Sequence, residues 1–347
     1  MVLPVGRLHA SEPPAVGPVS TSEVGSLLRK NKVPGAGLAI FDGRGRIASF
    51  SYGTSWGSTP VNDLTRFQAA SISKTLNALL TLTLVRDRLV DLDAPVNRQL
   101  KSFRLMGPDA DRVTPRMLLS HTAGTSVRGF AGYEPGQRLP ALHQILVGER
   151  PANNSAIAVT APIGRYSYSG GGITVLQQMI IDVTGKTYEA AATQRVMAPL
   201  TMSHSSLAQP PPHSSQSSLA HAHALDGQPI ATRYNIYPEL AAAGLWTTPA
   251  DICHMIRGIA LSVAGNQGAL LPQSLAKQMV GRVDGPSALG VFINSDNTIG
   301  HGGRNRGFSA LYKLALESGK GVAVMTNRHD AGPVLTEMIQ RGFSYKA

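Results

Sequence analysis

One cysteine, 5% aromatic residues and 15% charged residues in 347 remove several classes of function at the outset. A lone Cys253 cannot form a disulfide within the chain, so no disulfide framework staples the fold. Acidic residues are the scarce charge: 21 against 32 Lys and Arg, a formal net charge of 32 − 21 = +11. The basic excess is scattered, without the basic cluster and interleaved aromatics of a nucleic-acid-binding arm. Weak attraction toward anionic substrates, cell-wall polymers or membrane surfaces is the reading that fits, and nucleic acid is not an expected partner. No apolar run approaches the length of a membrane span. His221 and His223 have no third ligand at recognisable spacing and no His-Glu-x-x-His helix exists, so neither a metal nor a cofactor is expected. The opening Met1–Arg7 lacks the charged start and apolar core of a signal peptide. As written the chain reads as cytoplasmic, or as periplasmic or secreted if a signal was removed.

The chemistry is concentrated in Phe67-Gln68-Ala69-Ala70-Ser71-Ile72-Ser73-Lys74, ahead of the apolar Thr75-Leu76-Asn77-Ala78-Leu79-Leu80. Positions i and i+3 share a helix face, so the hydroxyl of Ser71 and the amine of Lys74 can meet across one turn. Serine is a weak nucleophile until a neighbour takes its proton, and a desolvated lysine is able to do so. A helix start adds N–H groups and a positive dipole end suited to an oxyanion. This is the chemistry of a covalent acyl-serine hydrolase.

The spacing recurs at Ser274-Leu275-Ala276-Lys277, where Ser274 reads as the N-cap of a surface helix. A rival nucleophile motif, Gly53-Thr54-Ser55-Trp56-Gly57, matches Gly-x-Ser-x-Gly, but that elbow requires strand, sharp turn and helix. Ser58-Thr59-Pro60-Val61-Asn62-Asp63 follows instead, so Ser55 reads as part of a plain loop. Two further segments could complete a site around Ser71. Tyr166-Ser167-Tyr168-Ser169-Gly170-Gly171-Gly172 is a polar, glycine-rich turn before the apolar helix Ile173–Thr184, closed by Gly185. A phenol on such a turn reaches into a cleft, and a nearby ammonium stabilises its phenolate. Thr298-Ile299-Gly300-His301-Gly302-Gly303 reads as a strand whose glycines admit close approach of a substrate backbone.

In this order, the three segments resemble the penicillin-recognising serine hydrolases: the serine β-lactamase and penicillin-binding-protein superfamily, with class C β-lactamases, D-Ala-D-Ala peptidases and family VIII carboxylesterases. The superfamily's elements are Ser-x-x-Lys, Tyr-x-Asn and Lys/His-Thr/Gly-Gly. The resemblance runs from about Glu23 to Gly342 and takes in Thr114–Gly124 and Ala243–Asp251. Two departures bear on substrate. Gly170 stands where the family has the Asn that bonds a β-lactam or peptide amide, and His301 stands where many members have lysine. Both tilt the site toward neutral esters or amides and toward the family VIII carboxylesterase and D-aminopeptidase-like branches.

The resemblance implies an α/β (α+β), β-lactamase-like fold: an antiparallel sheet flanked by helices, with a mostly helical insertion and the active site at the boundary. The chain itself gives a matching outline. Residues 1–20 read as extended or disordered. A helix over 22–32 precedes strands over 35–41 and 46–52, joined by Asp42-Gly43-Arg44-Gly45. Helices are expected over 76–89, 115–120 and 173–184, a surface loop over 209–218, strands over 298–302, 308–317 and 321–326, and a last helix over 333–341. The expected division is a sheet domain of 21–75 plus 246–347 and an inserted helical domain of 76–245. Cys253 falls on a helix as a buried structural thiol. His121 reads as a residue ending a helix, favourably placed at its negative end.

The resemblance also implies roles. Ser71 is the nucleophile, with Lys74 and Tyr168 hydrogen-bonded to it as the proton relay. Tyr168 is chosen over Tyr166 because it precedes Ser169-Gly170 as the motif tyrosine does. The oxyanion falls between the N–H groups of Ser71 and Arg304, with His301, Gly302, Gly303 and Gly170 lining the substrate's path. Arg304 and Arg306 are open to contact with substrate or to plain solvation. The expected substrate is a small acyl ester, with amides or acyl transfer the alternative and a non-catalytic binding protein the reading from another class. Oligomeric state is not written in these residues.

Overall fold

The structure, a computed structural model, describes residues 21–345, and the stretch 1–20 lies outside the described residues. Among the described residues there are nine strands: β1 (Gly35–Phe41), β2 (Ile47–Trp56), β3 (Thr59–Pro60), β4 (Phe67–Gln68), β5 (Trp246–Thr247), β6 (Phe292–Ile293), β7 (Thr298–Asn305), β8 (Phe308–Ala315) and β9 (Gly321–Thr326). The α-helices among the described residues are α1 (Thr21–Lys30), α2 (Ser73–Arg86), α3 (Pro115–Leu119), α4 (Leu142–Val147), α5 (Gly170–Thr184), α6 (Tyr188–Ala192), α7 (Leu240–Ala243), α8 (Pro249–Ala264), α9 (Gln273–Met279) and α10 (Gly332–Ser344).

Seven strands form one antiparallel sheet in the order β3-β2-β1-β9-β8-β7-β6, drawn from both ends of the described chain. The β1–β2 turn is set by Asp42, whose Oδ1 accepts the N–H groups of Arg44, Gly45 and Arg46 at 2.7, 3.0 and 3.1 Å. β1 and β9 are buried on both faces, which is why their sequences are apolar without alternation. Ala36, Leu38, Ile40, Val322 and Val324 pack under α1 and α10, while Ala39, Phe41, Ala323 and Met325 join the large core under α8 and α2. The fold is thus the helix-flanked antiparallel sheet expected of the resemblance. Among the described residues no helix is long and apolar enough to cross a membrane.

A second, two-stranded pairing matters more for function. β4 and β5 pair with Phe67 opposite Thr247 and Gln68 opposite Trp246, stitching the chain just before Ser71 to a segment far along the sequence. Trp246 is fully buried there, edge-on to Tyr234 and Phe308.

Three local expectations are corrected. The strand expected over 46–52 runs on through Ser55, because β2 turns directly into β3 rather than into a loop. Ser274 is not an N-cap: Pro272 holds that position, and Ser274 sits exposed inside the first turn of α9. The glycines before Ile173 belong to α5 itself, which begins at Gly170 behind the N-cap Ser169. A Cβ at Gly171 or Gly172 would lie 2.6 Å from Ser126 O or Thr125 Oγ1 respectively. These glycines serve close packing of a helix start against a strap of chain, not turn flexibility.

Candidate active site

The chain enters the site through a backbone conformation that L-residues avoid. Ala70 has φ +49°, in the left-handed region, which costs a non-glycine residue about 1–2 kcal/mol. This bend turns β4 into the one-turn 3-10 helix Ala70–Ile72 and then into α2, leaving Ser71 half-buried at the corner. Leu245 holds the corner from both sides: its carbonyl accepts the N–H of Ala69 at 2.8 Å, and its N–H donates to Ser73 Oγ at 3.1 Å. Ser73 Oγ in turn donates to Ala70 O at 2.6 Å. Strain of this kind persists only where surroundings over-determine it, and here they do.

Lys74, on the first turn of α2, is 2% exposed. Its Nζ lies 3.1 Å from Ser71 Oγ and donates to Ala242 O, on α7, at 2.7 Å. The ammonium also stands 5.1 Å from the ring centroid of Tyr168. The structure therefore brings Ser71, Lys74 and Tyr168 together, but differently from the sequence expectation. Among the described residues the Tyr168 hydroxyl has no hydrogen bond to Ser71 or Lys74, and it is the ring face that meets the amine. Catalytic hydrogen bonds commonly tighten only once substrate is bound.

The opposite wall is β7. His301 is buried, with its Nδ1–H donating to Gly302 O at 2.7 Å and its Nε2 without a partner among the described residues. Burial, helped by the charge of Lys74, pushes its imidazole down to about 3, so the ring is neutral at pH 7. Gly303 runs against the nucleophile corner: a Cβ there would lie 2.0 Å from Ala69 O and 3.1 Å from Ser71 N. Between these walls is a cavity of about 460 Å³, within the usual range of small-molecule sites. Ser71, Arg128, Tyr168, Gly302, Gly303 and Arg304 line it, whereas His301, expected along the substrate's path, does not. Gly170 is one wall removed: its N–H donates to Arg128 O at 3.0 Å, and a Cβ would press on the Phe130 ring at 3.1 Å. A side chain here would therefore press on the Phe130 ring and the Arg128 carbonyl from its first carbon.

The remaining candidates lie elsewhere or are already paired. Arg304 forms an ion pair with Asp330 at 3.0 Å, and Arg306 with Glu134 at 2.6 Å. Ser55 is buried on β2 with Oγ donating to Thr59 O at 3.2 Å, inside a strand–turn–strand, not an elbow. His221 stacks on Trp56 with ring centroids 4.0 Å apart, and His223 Nδ1 bonds Asn327 O at 2.9 Å. Cys253 is fully buried on α8, and burial pushes its thiol far up. His121 does follow the end of α3, its N–H donating to Leu118 O at 3.3 Å, but burial and the charge of Lys74 hold it well below 6.5, so it carries no positive charge for that helix end.

Sequence reasoning passed over Glu239, the residue before α7, whose carbonyl accepts the N–H groups of Ala242 and Ala243. Its carboxyl is wholly buried, neither oxygen has a partner among the described residues, and burial raises it to about 8. The group is protonated in the fold at neutral pH and ionises near 4.5 when unfolded. Between those values the unfolded chain binds fewer protons, so this group's contribution to stability falls as pH rises from about 4.5 to about 8. His121 and His301 pull the other way below 6.5, so the clean readout is a difference above that value. The unfolding midpoint of Glu239→Gln relative to wild type should rise steadily between pH 6.5 and 8; a difference that stays flat would refute the protonated assignment.

Comparison with known proteins places this geometry in context. The Beta-lactamase family model matches residues 21–344. Protein flp of Staphylococcus aureus (strain N315) is 23% identical over 314 residues, 86% of this chain and 61% of that protein. The chain thus spans about 61% of the length of the curated relatives it matches. Among solved structures, the beta-lactamase/D-alanine carboxypeptidase from Pseudomonas syringae superposes with TM-score 0.73 at 16% identity, covering 94% of this chain and 98% of that one. A D-stereospecific amidohydrolase from Streptomyces sp. gives TM-score 0.71 at 23% identity, covering 92% and 97%.

Proposed function

The chain belongs to the Beta-lactamase family, and from that premise we propose that it is a serine hydrolase forming an acyl intermediate on Ser71, with small acyl esters as substrates. The observation that carries this reading is the 3.1 Å approach of Lys74 Nζ to Ser71 Oγ at the wall of an open cavity. In the proposed reaction Ser71 Oγ attacks the acyl carbonyl while its proton passes toward Lys74 Nζ, the group within hydrogen-bond reach. The oxyanion is held by the N–H groups of Ser71 and Arg304, each such donor contributing about 3–4 kcal/mol. Collapse expels the leaving group, which takes the proton back through Lys74 and Tyr168. Water then attacks the acyl carbonyl with the same pair as base, and Ser71 is regenerated.

Three features support an ester over a β-lactam or peptide: Gly170 offers no side-chain amide, Phe130 crowds its place, and His301 supplies no fixed positive charge. The second reading is amide-directed chemistry, as a weak β-lactamase, a D-amino-acid peptidase or an acyltransferase. What favours it is the likeness in fold to proteins named as a D-stereospecific amidohydrolase and a D-alanine carboxypeptidase. The division into a sheet domain, 21–75 with 246–347, and an inserted helical domain, 76–245, is part of the same proposal, with Ser71 near the junction.

The test is hydrolysis of p-nitrophenyl butyrate, a chromogenic cephalosporin and D-alanine p-nitroanilide by wild type and Ser71→Ala. Ester turnover that exceeds the other two and vanishes in the variant is the expected result. Turnover led by the anilide or the cephalosporin would move the assignment to the second reading. No Ser71-dependent signal on any substrate would leave a non-catalytic binding protein of this fold.

A further inference from the structure

The turn carrying Tyr168 belongs to no helix or strand, yet the ring must be held in one place if it is to act on Lys74. Its backbone hydrogen bonds show what holds it. The N–H of Ser167 donates to His121 O at 2.7 Å, and the N–H of Ser169 donates to His121 Nδ1 at 3.2 Å. One residue therefore takes the amide on each side of Tyr168. The same imidazole packs on the Tyr168 ring with centroids 4.4 Å apart and an interplanar angle of 41°. The other anchors lie at the ends of the segment: Tyr166 N–H on Asp284 Oδ2 at 2.7 Å, and Ser169 Oγ on Ser126 O at 2.7 Å.

We infer that His121 is the positioning residue for Tyr168, acting as a neutral hydrogen-bond acceptor that brackets the tyrosine and fixes its ring over the amine of Lys74. The inference rests on the reading of Tyr168 as part of the proton relay. Three further observations agree with it. Nδ1 accepts a hydrogen bond, so the ring proton sits on Nε2, which is buried without a partner among the described residues. Among the described residues the ring's polar contact is thus made entirely to the tyrosine turn. His121 also occupies the left-handed region, φ +57°, where histidine and asparagine are tolerated better than most residues. That bend points both its carbonyl and its ring at the same segment. Finally, protonation would put hydrogens on both ring nitrogens and abolish the acceptor, and the buried site disfavours that form.

The role makes a demand on chemistry that filling space does not. An acceptor must stand where Nδ1 stands. Asparagine places its Oδ1 near that position and accepts the left-handed backbone. Glutamine carries the same amide one carbon further out, and phenylalanine keeps the ring without the acceptor. His121→Phe, His121→Asn, His121→Gln, Tyr168→Phe and the double variant His121→Phe/Tyr168→Phe are compared on p-nitrophenyl butyrate for kcat and KM. Hydrogen exchange of the peptide spanning 165–170 is followed by mass spectrometry in the same proteins.

His121→Phe and His121→Gln should lose about 10²-fold in kcat, the scale of an ångström-size misplacement, with KM nearly unchanged. His121→Asn should recover most of that loss, and His121→Phe should add nothing in the Tyr168→Phe background. Exchange over 165–170 should quicken in the Phe and Gln variants and not in Asn. If the Phe variant fails to fold, the Asn–Gln comparison decides alone. Asn and Gln variants that behave alike would overturn the inference, as would unchanged exchange in His121→Phe. A Tyr168→Phe enzyme as fast as wild type would instead remove Tyr168 from the relay, a failure of the functional reading that is visible separately.

Discussion

Lys74→Met is expected to lower kcat by about four orders of magnitude or more while leaving the protein folded. Methionine keeps an unbranched stem in the buried slot and removes only the amine, so the loss reports the proton acceptor and not a cavity. Nζ is the titratable atom within hydrogen-bond reach of Ser71 Oγ among the described residues, at 3.1 Å. The variant leaves the Ala242 carbonyl without its 2.7 Å partner, an unpaired acceptor that costs about 1–3 kcal/mol. That cost is offset in part because an amine no longer has to be buried. Lys74→Arg sharpens the result: it retains positive charge but cannot be deprotonated, so it should be as slow as the Met variant if Lys74 acts as a base. An Arg variant within tenfold of wild type would show that charge alone suffices. Ser71→Ala combined with Lys74→Met should be no slower than either single change, because groups acting as one unit are not additive.

How far the site was legible depended on whether its contacts are local in sequence. The meeting of Ser71 and Lys74 is an i, i+3 relation, so spacing is enough to place it. β1 and β9 begin and end where read because unbroken apolar runs bounded by glycine, aspartate and threonine leave little choice. The glycines at 170–172 were misread as a turn because the strap that forces them small, residues 125–130, lies some forty positions earlier. Ser274 has a capping residue type, but the chain enters α9 at Pro272, and type alone does not fix register. His121 was read from its helix, whereas its contacts are to the Tyr168 turn, which no local pattern reveals. Glu239 gave no signal at all, since nothing in Tyr237-Pro238-Glu239-Leu240 distinguishes a buried carboxyl from a solvated one.

Gly303→Ala should reduce kcat by about 10²–10³-fold, although it adds a single methyl group. The glycine's backbone is not in the left-handed region, so the effect comes from space and not from conformational preference. The new Cβ would lie 2.0 Å from Ala69 O and 3.1 Å from Ser71 N, and these are backbone atoms that no rotamer change can move aside. Nor can the strand retreat freely, because β7 is in register with β8, Gly303 opposite Ala310. The corner bearing Ser71 is equally constrained by its two hydrogen bonds to Leu245. Something must part by a fraction of an ångström or more, and the methyl would rest against the N–H proposed to hold the oxyanion. Overpacking of this kind costs about 1–3 kcal/mol of stability, a loss that thermal unfolding measures alongside kcat. Gly302→Ala is the control from the neighbouring residue: its nearest contacts would be at 3.8 Å, with the methyl facing the cavity. It should fold as wild type and change KM by crowding the substrate while kcat stays close to normal. Equal kcat losses at 302 and 303 would mean that β7 acts through general crowding. Loss confined to 303 ties turnover to the spacing between this strand and the backbone of Ser71.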